Sequence, residues 1–321
     1  MSTLITGATG FIGRHLTARL LNDGVRVRVL TRNRDKLPPE WADRVEVVMG
    51  SLLDPEALRE ATAGVSTVYH LAGEIRDPAL MKAINAEAVR SLLESAIAAG
   101  VKHFVHLSSV GVVGADSPGT VTEEALCRPK NEYEQTKLEG EKEVLKCVDA
   151  GRIEAVILRP TIVFGEGSTN DSVLSWLRAV GQGRFFFIGK EGIANYVYVG
   201  DVVEAMVHVT KNPDTRTGIF NVADPAPIRD FVAVMAEVLG VALPTRTLPV
   251  PLAYSMGGAL EAANRLIGIP APLTRARVRA MSSKCLFSGD KLRIKGAFNL
   301  PVGYREGLVR TVKWYRETGR L

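Results

Sequence analysis

With 321 residues, 46% of them hydrophobic and 23% charged, the chain has the make-up of a folded protein with one main domain and a smaller lobe, which excludes disordered and fibrous classes. Its net charge is +5, but Lys and Arg read as interleaved with Asp and Glu, so no nucleic-acid partner is expected. The three cysteines, Cys127, Cys147 and Cys285, lack C-x-x-C spacing and the five histidines lack ligand spacing, so neither a disulfide framework nor a metal site is expected.

Met1 runs directly into the apolar stretch Thr3–Thr6, without an export signal, and a cytoplasmic location is expected. The first half alternates β-branched runs with helical patterns, the rhythm of a parallel sheet covered on both faces. Strands are predicted at Thr3–Thr6, Arg26–Leu30, Val45–Met49, Thr67–Leu71, Phe104–Ser108 and Glu154–Leu158. Helices are predicted at Phe11–Asp23, at Pro55–Ala63 behind the cap Asp54, at Ala79–Ala99, and from near Asn131 to about Asp149.

Thr6-Gly7-Ala8-Thr9-Gly10-Phe11-Ile12-Gly13 follows the first strand and opens the first helix. Its glycines allow a tight turn and close backbone approach, and the free N–H groups of the helix start favour an anion. In that context the G-x-x-G-x-x-G spacing predicts a dinucleotide site, with Gly7, Thr9, Gly10, Phe11, Ile12 and Gly13 at the pyrophosphate. After the second strand stand Thr31 and Arg32, then Arg34 and Lys36, with no acid at the strand end. Such a field suits a 2′-phosphate, so NADP is favoured and NAD is the alternative. Ser51 and Leu52 after the third strand, and Leu71, Ala72 and Gly73 after the fourth, are expected to flank adenine and ribose.

Tyr133 and Lys137 lie four residues apart, early in a predicted helix, and share one face. Lowering a phenol by about 3 pKa units takes roughly 4 kcal/mol, which is about what one cation at ~4 Å supplies at an effective dielectric of about 20. Ser109 ends the fifth strand at the same sheet edge, where a hydroxyl can bond the substrate's oxygen; its neighbour Ser108 is the alternative.

Past Pro160 the rhythm loosens into the loop Gly165-Glu166-Gly167 and a proline-rich stretch from Pro225 to Pro272. Residues 1–160 are read as the Rossmann-type, doubly wound nucleotide domain and 161–321 mainly as a substrate-binding lobe, with residues 195–223 returning to the main sheet. The apolar run Leu248–Leu260 is interrupted by Pro251 and too short to span a membrane. A buried amphipathic helix is expected there, a cover for an apolar substrate or a membrane-surface contact being the alternatives.

These residues, with His70-Leu71-Ala72-Gly73, Val113-Gly114 and Leu158-Arg159-Pro160-Thr161-Ile162-Val163-Phe164-Gly165, resemble the extended short-chain dehydrogenase/reductase family. The resemblance covers nearly the whole chain and includes epimerases, dehydratases, dihydroflavonol reductases and hydroxysteroid dehydrogenases. It implies Tyr133 as general acid/base, Lys137 on the nicotinamide ribose, Ser109 orienting the reacting oxygen, Pro160 beside the cofactor, and a homodimer through the long helices. Sugar-nucleotide members of the family usually carry Asn where this chain has Ile162, and many have Arg-Asp where it has Ala194-Asn195. The reading that follows is hydride transfer at a secondary alcohol or ketone of a small-molecule substrate. The alternatives are an epimerase or dehydratase with retained NAD, and a non-catalytic cofactor-binding subunit.

Overall fold

The computed structural model describes residues 2–114, 118–268 and 273–321. The chain begins as an alternation of strands and helices, broken only between its second and third strands, which are joined by short turns. β1 (Ser2–Thr6) leads into α1 (Phe11–Asn22), then β2 (Arg26–Thr31), β3 (Val45–Met49), α2 (Pro55–Thr62) and β4 (Val65–His70). Pro55 at the first turn and Asp54 Oδ1, which accepts the Glu56 N–H at 2.9 Å, fix where α2 starts. The predicted helix Ala79–Ala99 is in fact three pieces: α3 (Pro78–Lys82), a π-helical segment at Ala83–Glu87, and α4 (Ala88–Ala98). The widened turn holds Asn85, whose amide is buried and bonded to neighbouring elements rather than to water. β5 (His103–Leu107), β6 (Gly119–Val121), α5 (Glu132–Asp149) and β7 (Glu154–Pro160) complete this half.

The second half runs β8 (Ile162–Phe164), α6 (Ser172–Gly181), β9 (Phe187–Ile188), β10 (Ile193–Tyr198), α7 (Val199–Lys211), β11 (Gly218–Val222) and β12 (Asp224–Pro227). It continues through α8 (Ile228–Leu239), β13 (Thr247–Leu248), α9 (Val250–Ile267), α10 (Arg275–Ser282), β14 (Cys285–Phe287), α11 (Asp290–Gly296) and α12 (Gly303–Glu317).

Seven parallel strands form the main sheet in the order β3-β2-β1-β4-β5-β7-β11. The direction of winding reverses between β1 and β4, and in such sheets the ligand crevice lies beyond the carboxyl ends at that point. Leu16 and Leu20 of α1 and Val202 and Met206 of α7 cover one face. Leu58 of α2, Leu92 of α4 and Val144 of α5 cover the other, each fully buried aliphatic contributing about 1.5–3 kcal/mol of transfer free energy.

Of the segment expected to return to the main sheet, β11 pairs with β7 there. β10 does not: it lies in a separate three-stranded sheet, parallel to β8 and antiparallel to β12. Only one new edge position is open beside β7 and β11 takes it, while β8, leaving β7 after Thr161, offers β10 a parallel partner. The lobe has its own core of Phe164, Leu177, Phe231 and Tyr315. Asp201 accepts the N–H groups of Val302 and Gly303, both at 2.9 Å, and Asp224 that of Tyr304 at 2.6 Å, so two carboxylates cap the start of α12.

The run 248–260 departs from expectation. Pro251 sits in the first turn of α9, where a missing N–H is harmless, and so does not interrupt the helix. Nor is the helix buried: Ala253 is, but Leu252 and Met256 are exposed to water. No helix among the described residues is long and apolar enough to cross a membrane.

Candidate active site

Beyond the carboxyl ends of β1 and β4 lies a crevice whose lining includes Gly7, Thr9, Arg32, Ser51, Leu52, Ala72 and Gly73. Gly10, Phe11, Ile12 and Gly13 adjoin it as the cap and first turn of α1, which has no side-chain cap and no acid in that turn. Its first N–H groups therefore remain available to an anion. A Cβ on Gly7 would come within 2.6 Å of the Ala72 nitrogen, and one on Gly13 within 2.1 Å of the Gly7 carbonyl oxygen. The loop is thus folded as tightly as a dinucleotide cradle requires, and the residues present fit that group. Leu71 binds Thr6 O through its N–H at 3.1 Å, and the Phe11 ring packs toward the lobe, edge-on to His15.

At the far end of the crevice Arg32 is exposed; the N–H groups of Arg76, Asp77 and Ile75 hold the Glu74 carboxyl below its usual range, with the charge of Arg32 a smaller contribution. Arg14, which sequence reasoning did not single out, donates to Thr9 O at 3.2 Å and to Lys36 O at 3.0 Å, tying the glycine loop to the basic turn. Replacing Gly13 with Ala forces this loop open. The expected result is a loss of dinucleotide affinity of about a hundredfold, or roughly 2.7 kcal/mol, in a fluorescence titration; unchanged affinity would place the dinucleotide elsewhere.

Tyr133 is held by the start of α5. Asn131 Oδ1 accepts the Glu134 N–H at 2.9 Å while the Glu134 carboxylate accepts the Lys130 N–H at 2.7 Å, a reciprocal cap around the tyrosine. Ser109, and not Ser108, reaches the phenol: its hydroxyl bonds the Tyr133 oxygen, and its Oγ also accepts the Gly111 N–H at 3.0 Å. Ser108 is buried, with no partner for its hydroxyl among the described residues. Lys137 is buried and donates to Leu107 O at 2.6 Å. Pro160 lies buried at the end of β7.

The electrostatics correct one expectation. Burial raises the Tyr133 phenol above its ordinary value, Ser109 offsets part of this, and Glu134 adds to it; Lys137 is not among the causes. Its ammonium is spent on the Leu107 carbonyl, and it carries its own desolvation penalty, which brings it down to about 8 despite Glu141.

Beneath Lys137 lie two histidines that the spacing argument dismissed. His70 and His106 are fully buried and stacked, ring centroids 5.4 Å apart, with His70 Nδ1 2.7 Å from Thr6 Oγ1. Burial, with Lys137's charge second, lowers His70 to about 3 and His106 well below its ordinary value. The unfolded chain therefore takes up protons that the folded one refuses. Stability is full above pH 6.5 and falls as pH drops from 6.5 toward 3, by up to about 1.4 kcal/mol per unit for each imidazole. His70→Gln is expected to shrink the difference in melting temperature between neutral and mildly acidic buffer; an unchanged difference would count against this assignment.

Three further residues were missed. Asn85 donates to Glu74 O at 2.9 Å and Thr136 Oγ1 at 3.1 Å and accepts the Glu74 N–H at 2.8 Å, clamping the loop after β4 to α5. Arg159 and Glu141, both buried, form a bidentate pair at 2.8 and 2.6 Å one turn beyond Lys137. A lone Asn or an Arg and a Glu 18 positions apart give no local signal.

In the lobe a cavity of about 530 Å³ is lined by Ile162, Trp176, Phe185, Phe186, Leu273 and Met281, with Arg184 and Arg277 also on its wall. Ile162 begins β8, two positions past Pro160. Asn195 is turned away into the fold, donating to Cys285 O at 2.8 Å and accepting the Phe287 N–H at 3.0 Å.

The family model for the NAD dependent epimerase/dehydratase family matches residues 3–223, across the glycine loop, the Tyr133 helix and β11. The chain belongs to this family. Within it, the chain is similar to the N-acetyl-alpha-D-glucosaminyl-diphospho-ditrans,octacis-undecaprenol 4-epimerase of Escherichia coli O157:H7, 27% identical over 98% of this chain and 95% of the relative. It is similar to the ceramide reductase of Caulobacter vibrioides, 29% identical over 99% and 95%. Among solved structures it resembles that of gox2253, with a TM-score of 0.78, 26% identity and coverage of 100% and 99%. Members of the family are enzymes, of the extended short-chain dehydrogenase/reductase type, and this chain is one of them.

Proposed function

We propose that this enzyme reduces a ketone, or oxidises the corresponding secondary alcohol, on a molecule with a large apolar part, using NADP in preference to NAD. The observation that carries the reading is the cavity beside Ile162, walled by Trp176, Phe185, Phe186, Leu273 and Met281. This apolar side of the wall favours a hydrocarbon part, while Asn170, Asp171, Ser172 and Ser175 on the same cavity can bond a polar group. The relatives' names, an undecaprenol-linked sugar epimerase and a ceramide reductase, agree in pointing to lipids. Arg32, Arg14 and Lys36 around the crevice support the 2′-phosphate.

Gly7, Gly10 and Gly13 would hold the dinucleotide's pyrophosphate, and Lys137 its ribose. When bound, the cofactor supplies or accepts the hydride at the reacting carbon. The chain's own residues manage the oxygen. The Ser109 hydroxyl and the Tyr133 phenol, already bonded to each other, form a pair of donors for a carbonyl oxygen. As charge develops there, Tyr133 gives up its proton and the O–H bond of the product alcohol forms. Lys137, cationic below about pH 8, acts through the ribose it would hold, since its charge is not among the influences on the phenol itself. A phenol raised by burial holds its proton across the neutral range, which suits the donor's role and hence the reductive direction.

A second reading is an epimerase acting on a lipid-linked sugar diphosphate while retaining its cofactor; Arg184 and Arg277 on the cavity wall favour it. The test is to identify any bound dinucleotide by mass spectrometry, then follow reduced-cofactor absorbance with lipid ketones and with lipid-linked sugar diphosphates in micelles, and with sugar nucleotides. Sustained consumption with the lipid ketones supports the first reading. Turnover of either sugar substrate alone, without net consumption, overturns it.

A further inference from the structure

The chain's surplus of positive charge falls within one segment. Between Leu239 and Gly289 stand six basic residues, Arg246, Arg265, Arg275, Arg277, Arg279 and Lys284, against one acid, Glu261. That difference equals the net charge of the whole chain, +5, so the remainder is neutral. The same segment carries exposed apolar side chains: Leu252 at 50%, Met256 at 41%, and Val250 and Tyr254 at 36%. From Val250 to Leu260 α9 has no charged residue at all, although a helix facing water ordinarily carries its charges on the outer face.

The two features meet at Tyr254. Arg275 and Arg279, one turn apart on α10, stack on the Tyr254 ring of α9 at 5.3 and 5.7 Å. Behind this surface Ala253 and Val278 pack in a small cluster with Phe186, Leu273 and Met281, the same three residues that wall the cavity. The apolar face of α9 and the lobe's cavity are thus opposite sides of one thin layer.

We infer that α9 and α10 dock this protein on an anionic membrane surface, with Leu252 and Met256 entering the headgroup boundary and the arginines meeting lipid phosphates. Charge complementarity selects this occupant. A second copy paired through the same face would oppose Arg275 and Arg279 to their own copies, whereas a bilayer offers negative charge and hydrocarbon together. The inference goes beyond the proposed reaction, and the two fail separately: a protein that reduces lipid ketones in micelles but ignores vesicles loses the docking surface alone, and one that binds vesicles without turnover loses the reaction alone.

The experiment is co-sedimentation of the full chain with phosphatidylcholine vesicles, with and without phosphatidylglycerol. Binding at least about tenfold tighter to the anionic vesicles is expected, weakened by salt. The double variant Leu252→Ser/Met256→Ser should weaken it by about tenfold, and Arg275→Ser/Arg279→Ser should remove the preference for phosphatidylglycerol. Both variants should keep their turnover of a water-soluble ketone in free solution, since none of these residues lines the crevice or the cavity. Equal affinity for neutral vesicles, or no binding to either, overturns the inference. So does a dimer in sedimentation velocity that Leu252→Ser/Met256→Ser dissolves, or tighter binding of duplex DNA than of anionic vesicles through the same arginines.

Discussion

Tyr133→Phe should lose turnover by about 10²–10⁴-fold, the range of a positioned general acid, while binding the dinucleotide as the parent does. The substitution removes one oxygen and leaves the ring and the Asn131–Glu134 cap that positions it. Ser109 keeps its bond to the Gly111 N–H, so the pocket should not collapse. What is lost is the proton. Because burial keeps the parent phenol protonated through neutral pH, reduction should be nearly independent of pH below about 8, then decline as Lys137 loses the charge with which it would hold the nicotinamide ribose. The measurement is kcat and KM against pH for both proteins. Turnover retained by the variant would assign the proton to another group.

Glu141→Gln carries the second large effect. Its carboxylate and the Arg159 guanidinium are buried together, and breaking one side of such a pair strands the other charge, at a cost of about 3–5 kcal/mol. For Arg159 burial is the largest influence, and it is the bond to Glu141 that reverses it and holds the guanidinium above its ordinary value. The amide cannot do so, and a large fall in melting temperature is expected. A second readout separates this from general loosening. Glu141 also supports the charge on Lys137, so its removal should move the alkaline limb of turnover to lower pH. A destabilised variant with an unmoved limb would confine Glu141 to a structural role.

The parts of this molecule legible in sequence are those governed by neighbours along the chain. The turn Gly7–Gly13 announces itself because only glycine fits where a Cβ would strike backbone 2.1 Å away. Asn131 and Glu134 mark the start of α5, and Tyr133 and Lys137 follow from it by helix geometry. What escaped depends on residues that meet only after folding. The π segment exists because Asn85 answers Thr136, 51 positions away. β10 leaves the main sheet because β8 and β12 receive it. The lowering of the tyrosine that one cation was expected to supply is absent, and desolvation, a quantity periodicity does not carry, raises the phenol instead. The exposed face of α9 was misread because an apolar run looks the same whether its partner is a core or a solvent boundary.

The most direct test of the account follows the hydrogen itself. The enzyme is given a lipid ketone and NADPH deuterated at the transferred position of the nicotinamide, and the product is analysed by mass spectrometry. The account predicts one deuterium on the carbinol carbon for each cofactor oxidised. Label that stays with the cofactor, while a lipid-linked sugar changes configuration without net oxidation, would contradict it.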